Sequence, residues 1–216
     1  MGDADFSGLF NEISELLQKG KAKDIVVSVQ KALDDGASPG DILEKALMEG
    51  MNVVGGKFKR NEVFVPEVLI AARAMNKATE VLKPHLAKAG VNPVGKAIIC
   101  TVKGDLHDIG KNLVKMMIEG KGIEAVDLGV DCESQKIVDT VKETGAKVVC
   151  LSALLTTTMT AQKEVIDALK SAGVRDNIKV MVGGAPVTQS FADEIGADAY
   201  TADAASAAEV CRSFFA

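Results

Sequence analysis

The sequence predicts an α/β protein in two parts. A four-helix bundle spans residues 1–89, and a five-stranded parallel sheet with helices on both faces spans residues 90–216. Three observations predict this. Up to residue 89, apolar residues recur at helical spacing in four segments. The stretch AGVNPVGK, residues 89–96, then breaks the rhythm with two glycines and a proline, and reads as a linker. Beyond it, short apolar runs alternate five times with amphipathic stretches, and five β-α units in a row require parallel pairing.

Each element has its own signal. DFSGLFNEISELLQKG places Phe6, Leu9, Phe10, Ile13, Leu16 and Leu17 at helical spacing and closes on Gly20. AKDIVVSVQKALDDGA repeats the pattern and ends at Gly36. SPGDILEKALMEGMNVVGGKF opens with Ser38 as N-cap and Pro39 as first helical residue. VFVPEVLIAARAMNKATEVLKPHLAKAG is the fourth helix, starting near Pro66, and the short links between the four favour a bundle. In the second part KAIICTV, EAVDLG, KVVCLSALL, IKVMVGG and DAYTA read as strands. The helices between and after them are DIGKNLVKMMIEGKG, CESQKIVDTVKETGA, TTTMTAQKEVIDALKSAG with threonine caps, TQSFADEIGA and AASAAEVCRSFF. The expected architecture is flavodoxin/Rossmann-like.

Composition narrows the function. Apolar residues make up 47% and charged residues 25% of the 216 positions, an ordinary globular balance. The net charge of −5 and the lack of a basic run argue against nucleic acid or an anionic membrane surface as partner. The start, MGDADFSGLFNEISELL, has neither the positive end nor the apolar core of a secretory signal, and Met-Gly is not followed by a Ser or Thr at position six to favour myristoylation. No apolar run reaches the length of a membrane span. Cys100, Cys132, Cys150 and Cys211 are scattered without a C-x-x-C pair, so buried free thiols of a cytoplasmic protein are expected and a zinc site is not. His85, in a last helical turn, reads as a surface or capping residue.

Ligands of doubly wound sheets bind at the carboxyl ends of the strands, near the switch in strand order. The residues to weigh are therefore Gly104 to His107, Ser152 to Thr156, Gly183 and Gly184, and Thr201 to Asp203. A G-x-G-x-x-G fingerprint is not matched after the first strand, and a Walker A lysine-serine pair is absent. His107 leaves two readings open. It is a metal ligand backed by Asp105, which would accept the far ring N–H and set the tautomer, or it is a helix-start histidine with one hydrogen bond. No cysteine or second histidine lies nearby in sequence, so one nitrogen suits a metal already held by a macrocycle.

Asp105-x-His107-x-x-Gly110 resembles the cobalamin-binding signature D-x-H-x-x-G, which continues with S-x-L and then G-G. Here 41 residues, 111–151, precede Ser152-Ala153-Leu154, and 28 residues, 155–182, precede Gly183-Gly184. Both spacings agree with the signature. The first 89 residues are similar to the helical cap of methyltransferase-type cobalamin proteins, with FVPEVLIAARAM similar to its fourth helix. The resemblance covers nearly the whole chain and points to the small corrinoid proteins of three-component methyltransferase systems.

That resemblance implies a cobalamin cofactor with His107 as lower axial ligand to cobalt, Asp105 as the acid hydrogen-bonded to it and Ser152 as the hydroxyl continuing the relay. It implies that Leu106, Asp108, Leu154 and Thr156 line the site, and that Gly110, Gly183 and Gly184 leave room for the corrin and its nucleotide tail. Phe64 and Val65 would lie over the upper corrin face, with Leu69 and Met75 as further candidates. The expected role is a cytoplasmic methyl carrier of one-carbon metabolism, not a complete enzyme. A substrate-specific methyltransferase, an O-demethylase among the candidates, would load it from a methoxylated aromatic, a methylamine, methanol or a betaine. A second methyltransferase would unload it onto tetrahydrofolate or coenzyme M, with a reductive activase as a further partner. A cobalamin-binding regulator, a mutase small subunit and a cofactor-free flavodoxin-like module are the rival readings. The first usually adds an output domain and the second lacks the cap.

Overall fold

The computed structural model describes residues 5–216. The residues MGDA, on which the expectations about a leader and about acylation partly rest, lie outside that range. The chain divides into two compact units. One ends at Pro93 and includes Gly120–Gly122; the other holds Val94–Glu119 and Ile123–Ala216.

The first unit is helical. α1 (Ser7–Gln18) and α2 (Ala22–Asp34) are followed by one long helical run. This begins as α3 (Pro39–Asp41), passes through a π-helical stretch (Ile42–Met48) and ends as α4 (Glu49–Lys59). α5 (Val65–Lys88) completes the set. Ser38 is the N-cap expected, its Oγ accepting from Asp41 N at 3.5 Å, with Pro39 in the first turn. Gly20 and Gly36 both adopt positive φ just past their helices, the conformation that favours glycine there. Ile13, Leu17, Ile25, Val29, Ile42 and Leu82 are wholly buried, each contributing on the order of 1.5–3 kcal/mol through removal of apolar surface from water. Met75, a further candidate for the corrin face, is buried, unlike Phe64 and Leu69.

The second unit is an all-parallel five-stranded sheet. Its strands are β1 (Lys96–Thr101), β2 (Glu124–Asp127), β3 (Val148–Ser152), β4 (Lys179–Gly183) and β5 (Ala199–Tyr200). The order β2-β1-β3-β4-β5 puts the reversal between β1 and β3. The helices are α6 (Ile109–Glu119), α7 (Ser134–Thr144), α8 (Thr160–Ser171), α9 (Gln189–Ile195) and α10 (Ala204–Ser213). Ile98, Cys100, Val149, Leu151, Val180 and Val182 form one buried face of the sheet, while Ala97, Ile99, Val148 and Met181 are buried on the other. Burial on both faces is why these strands read as continuous apolar runs. All four cysteines are free and buried. No helix among the described residues is long and apolar enough to cross a membrane.

One local expectation fails. The threonines of TTTMT do not cap α8, which starts at Thr160 after Met159, and no side chain bonds its first turn. Thr158 is turned elsewhere, to the site.

Candidate functional site

The loop after β1 and the loop after β3 flank the point where strand order reverses, the usual ligand position in such sheets. Asp105 stands at the centre and is fully buried. Its Oδ1 accepts from the His107 backbone N at 3.0 Å and meets the His107 Nδ1 at 2.7 Å. Its Oδ2 accepts from Leu154 N and from Thr158 Oγ1, both at 2.7 Å. Burial alone would raise the pKa of this carboxyl. The hydrogen bonds from Thr158, His107 and Leu154 outweigh that and hold it well below the usual carboxylate range. An ionised Asp105 can only accept, so the proton sits on His107 Nδ1 and the lone pair on Nε2. The His107 side chain is 51% exposed, and Nε2 makes no hydrogen bond among the described residues.

A pH dependence follows. Asp105 has a folded pKa below its unfolded one, so its stabilising contribution is complete above about pH 4 and is lost as pH falls towards the folded value. Urea unfolding of apoprotein between pH 6 and pH 3 is expected to show wild type losing more stability than Asp105→Asn. Parallel curves would refute the assignment.

Apolar side chains surround this polar centre. Leu106 and Ile109 beside His107 are 72% and 77% exposed, and Leu154 and Leu155 across the crevice are 42% and 44% exposed. Large apolar groups left open around one free imidazole nitrogen fit the flat, largely apolar face of a macrocycle. Among the described residues no cluster of three or more His, Cys, Asp or Glu could hold a metal, so a metal bound here would bring most of its own ligands. These residues fit a corrin.

The supports of the loop are equally specific. Thr101 Oγ1, at the end of β1, donates to His107 O at 2.8 Å. Lys111, nearly buried on α6, places Nζ within 2.7 and 2.8 Å of the two Asp127 oxygens and 2.7 Å from Asn112 Oδ1, tying the start of the helix to the end of β2. Asp108 is exposed and accepts from Asn112 Nδ2 at 3.1 Å.

Ser152 is corrected by the structure. It ends β3, but its hydroxyl does not reach Asp105. The hydroxyl that does belongs to Thr158, six residues on. The S-x-L spacing locates the correct strand end, and the β3 loop then brings Thr158 back over Asp105. Thr158 was missed because three consecutive threonines before a helix read as caps. Lys111 was missed because a lysine on a surface helix reads as solvated. Thr156 is exposed at the same loop.

The glycines divide. A Cβ on Gly110 would meet nothing within 4 Å, so within the protein nothing requires glycine there. One on Gly183 would meet only Thr201 O, at an ordinary 3.5 Å. Gly184 differs: at φ +132° its Cβ would run into the Ala153 carbonyl, so packing between the two loops already requires glycine there. Gly110→Val is therefore expected to change apoprotein stability by less than about 1 kcal/mol while weakening cobalamin binding at least tenfold, read by equilibrium dialysis. Normal binding would show that the cofactor passes elsewhere.

In the helical unit, Phe64 precedes α5 and is 63% exposed, its N–H held by Glu67 Oε2 at 2.9 Å. Val65 is half-buried and Leu69 exposed.

Comparisons with known proteins agree with this geometry. Residues 95–211 match the B12 binding domain family, and residues 9–83 match a second B12 binding domain family. The chain is 41% identical over 204 residues to dimethylamine corrinoid protein 3 of Methanosarcina acetivorans, covering 94% of this chain and 95% of the relative. It is 40% identical over 207 residues to monomethylamine corrinoid protein 2 of Methanosarcina mazei, covering 94% and 95%. Among solved structures, the methanol:cobalamin methyltransferase complex MtaBC of Methanosarcina barkeri superposes with a TM-score of 0.86 at 32% identity, over 96% of this chain and 80% of that one. A cobalamin-binding protein of Desulfitobacterium hafniense gives 0.80 at 33% identity, over 95% and 98%. A free imidazole nitrogen on a buried aspartate, an apolar rim and two matched B12 binding domains identify the cofactor as cobalamin and place this chain in the family of B12-binding corrinoid proteins.

Proposed function

We propose that the protein is a methyl carrier, loaded by one methyltransferase and unloaded by another. The observation that carries this reading is the Asp105–His107 pair, which offers a single aligned nitrogen within an open apolar rim. The bound corrin supplies a cobalt centre that accepts a methyl group and gives it up again. His107 would hold the cobalt through Nε2, with its ring held by Asp105 at Nδ1–H. Thr158 Oγ1 and Leu154 N keep Asp105 ionised and aimed. Leu106, Ile109 and Leu154 would seat the macrocycle, Gly110 and Gly183 would leave it room, and the exposed Thr156 would offer it a polar contact.

The donor we favour is a methylamine or methanol, because relatives and a structural neighbour at 32–41% identity are named for dimethylamine, monomethylamine and methanol systems. Tetrahydrofolate or coenzyme M is the acceptor class, and a reductive activase restores carrier that has become oxidised. The test is to reconstitute the protein with hydroxocobalamin, reduce it, and supply methylamines, methanol and methoxyaromatics, each with its methyltransferase. One donor should convert the spectrum to the methylated form in stoichiometric amount. No conversion with any of them would defeat the reading.

The helical unit is proposed to shield the cofactor from water, with the exposed Phe64 and the neighbouring Val65 as the shielding groups. Removing residues 1–88 should leave a domain that binds cobalamin but whose methylated form photolyses several-fold faster than the full chain. Equal rates would assign the helices to partner binding alone.

A further inference from the structure

Asp131 follows β2, lies outside the D-x-H-x-x-G motif, and has a backbone that needs a reason. Its φ is +51°, one of only two positive values among the described non-glycine residues. Left-handed backbone is unfavourable for residues with a Cβ, and aspartate and asparagine are among the few that tolerate it. Such a conformation persists only where the surroundings hold it, and it often does so at functional sites. Here the surroundings are the histidine loop. Asp131 Oδ1 accepts from Gly104 N at 2.7 Å, and Asp131 N donates to Asp105 O at 3.0 Å.

Those two bonds grip the peptide units that bracket the Gly104–Asp105 pair. Gly104 N belongs to the unit joining residues 103 and 104, and Asp105 O to the unit joining 105 and 106. Cys132 N adds a third tie, donating to Thr101 O at 3.1 Å. Gly104 itself sits at φ +80° and supplies no stiffness of its own. Asp131 therefore fixes the backbone from which Asp105 reaches both His107 Nδ1 and Thr158.

We propose that Asp131 is a positioning residue for the cobalt ligand: from the neighbouring β2 loop it sets the direction in which Asp105 presents the His107 imidazole. This rests on the reading of His107 as axial ligand. A carboxylate or an amide at position 131 can serve, because both accept from Gly104 N–H and both adopt the left-handed conformation. Alanine can do neither well, and glycine supplies the conformation without the acceptor.

The experiment uses full-length protein reconstituted with cobalamin and reduced to Co(II). The nitrogen superhyperfine splitting in its electron paramagnetic resonance spectrum reports whether an axial nitrogen is present, and a histidine labelled with nitrogen-15 distinguishes the protein's nitrogen from the cofactor's. Asp131→Ala and Asp131→Gly should each lower the ratio of histidine-ligated to unligated cofactor about tenfold, with cofactor still bound after gel filtration. Asp131→Asn should return the ratio to within about twofold of wild type. Unchanged ligation in the alanine and glycine variants, whether or not the apoprotein is less stable, would overturn the proposal. So would failure of asparagine to restore ligation, or loss of cofactor loading in both the alanine and glycine variants, which would mark a folding role. His107→Ala is run alongside: if it keeps the histidine signal, the underlying ligand assignment fails and not the role of Asp131 alone.

Discussion

His107→Ala is expected to give a folded apoprotein that takes up cobalamin yet shows no histidine nitrogen on cobalt. Folding should survive because the side chain is half exposed and its ring makes one hydrogen bond, to an aspartate that keeps three others. The stability cost is about 1.5–3 kcal/mol, the range for a hydrogen bond to a charged group. Methyl transfer should fall by at least about 100-fold, beyond the roughly 10–100-fold that follows when only a group supporting a metal ligand is lost. The relay can be dissected in the same assay. Thr158→Val removes a hydroxyl 2.7 Å from Asp105 Oδ2 and should shift axial ligation and slow transfer about tenfold. Ser152→Ala, which removes a hydroxyl not bonded to Asp105, should leave ligation unchanged. Visible spectra of the methylated and oxidised forms, read beside single-turnover transfer rates, check all three. Wild-type spectra for His107→Ala, or a larger effect from Ser152 than from Thr158, would contradict the site as described.

The sequence disclosed what depends on spacing along the chain and missed what depends on a loop folding back. Three of the five strands, β1, β3 and β4, were legible because each is buried on both faces and so written as a nearly uninterrupted apolar run. The first and last helical turns were legible where small residues have local duties, as at Ser38 and Gly20. Asp105 and His107 lie two residues apart, so their contact is a local fact that a motif can carry. Thr158 is 53 positions from Asp105, and only the turn between β3 and α8 brings its hydroxyl to the carboxylate. Lys111 and Asp127 are likewise joined across 16 positions by the packing of α6 beside β2. The π-helical stretch at Ile42–Met48 left no mark in the apolar pattern, because a shifted hydrogen-bond ladder needs no particular residue type. The glycines of the motif were recognised, but one identity concealed different physical reasons.

Gly184→Ala is expected to destabilise the apoprotein by more than about 4 kcal/mol, enough to unfold a domain of ordinary stability. Two effects act together. The residue sits at φ +132°, where an L side chain is strained, and the added Cβ would meet the Ala153 backbone carbonyl. Neither neighbour can retreat easily. Ala153 is wholly buried and donates its N–H to Gly183 O at 3.1 Å, just past the paired ends of β3 and β4. Gln162, also buried, donates to Gly183 O at 3.1 Å and to Leu151 O at 3.0 Å, clamping the same strand ends from α8. Moving Ala153 would also displace Leu154 N from Asp105, so the damage should reach the histidine loop. Gly110 provides the contrast, because alanine there meets nothing and would favour its helix by up to about 1 kcal/mol. Urea unfolding of the two apoproteins without cofactor separates the cases. If Gly184→Ala unfolds at the wild-type midpoint and fails only in cobalamin uptake, the glycine pair serves the ligand and the packing account of Gly184 is wrong.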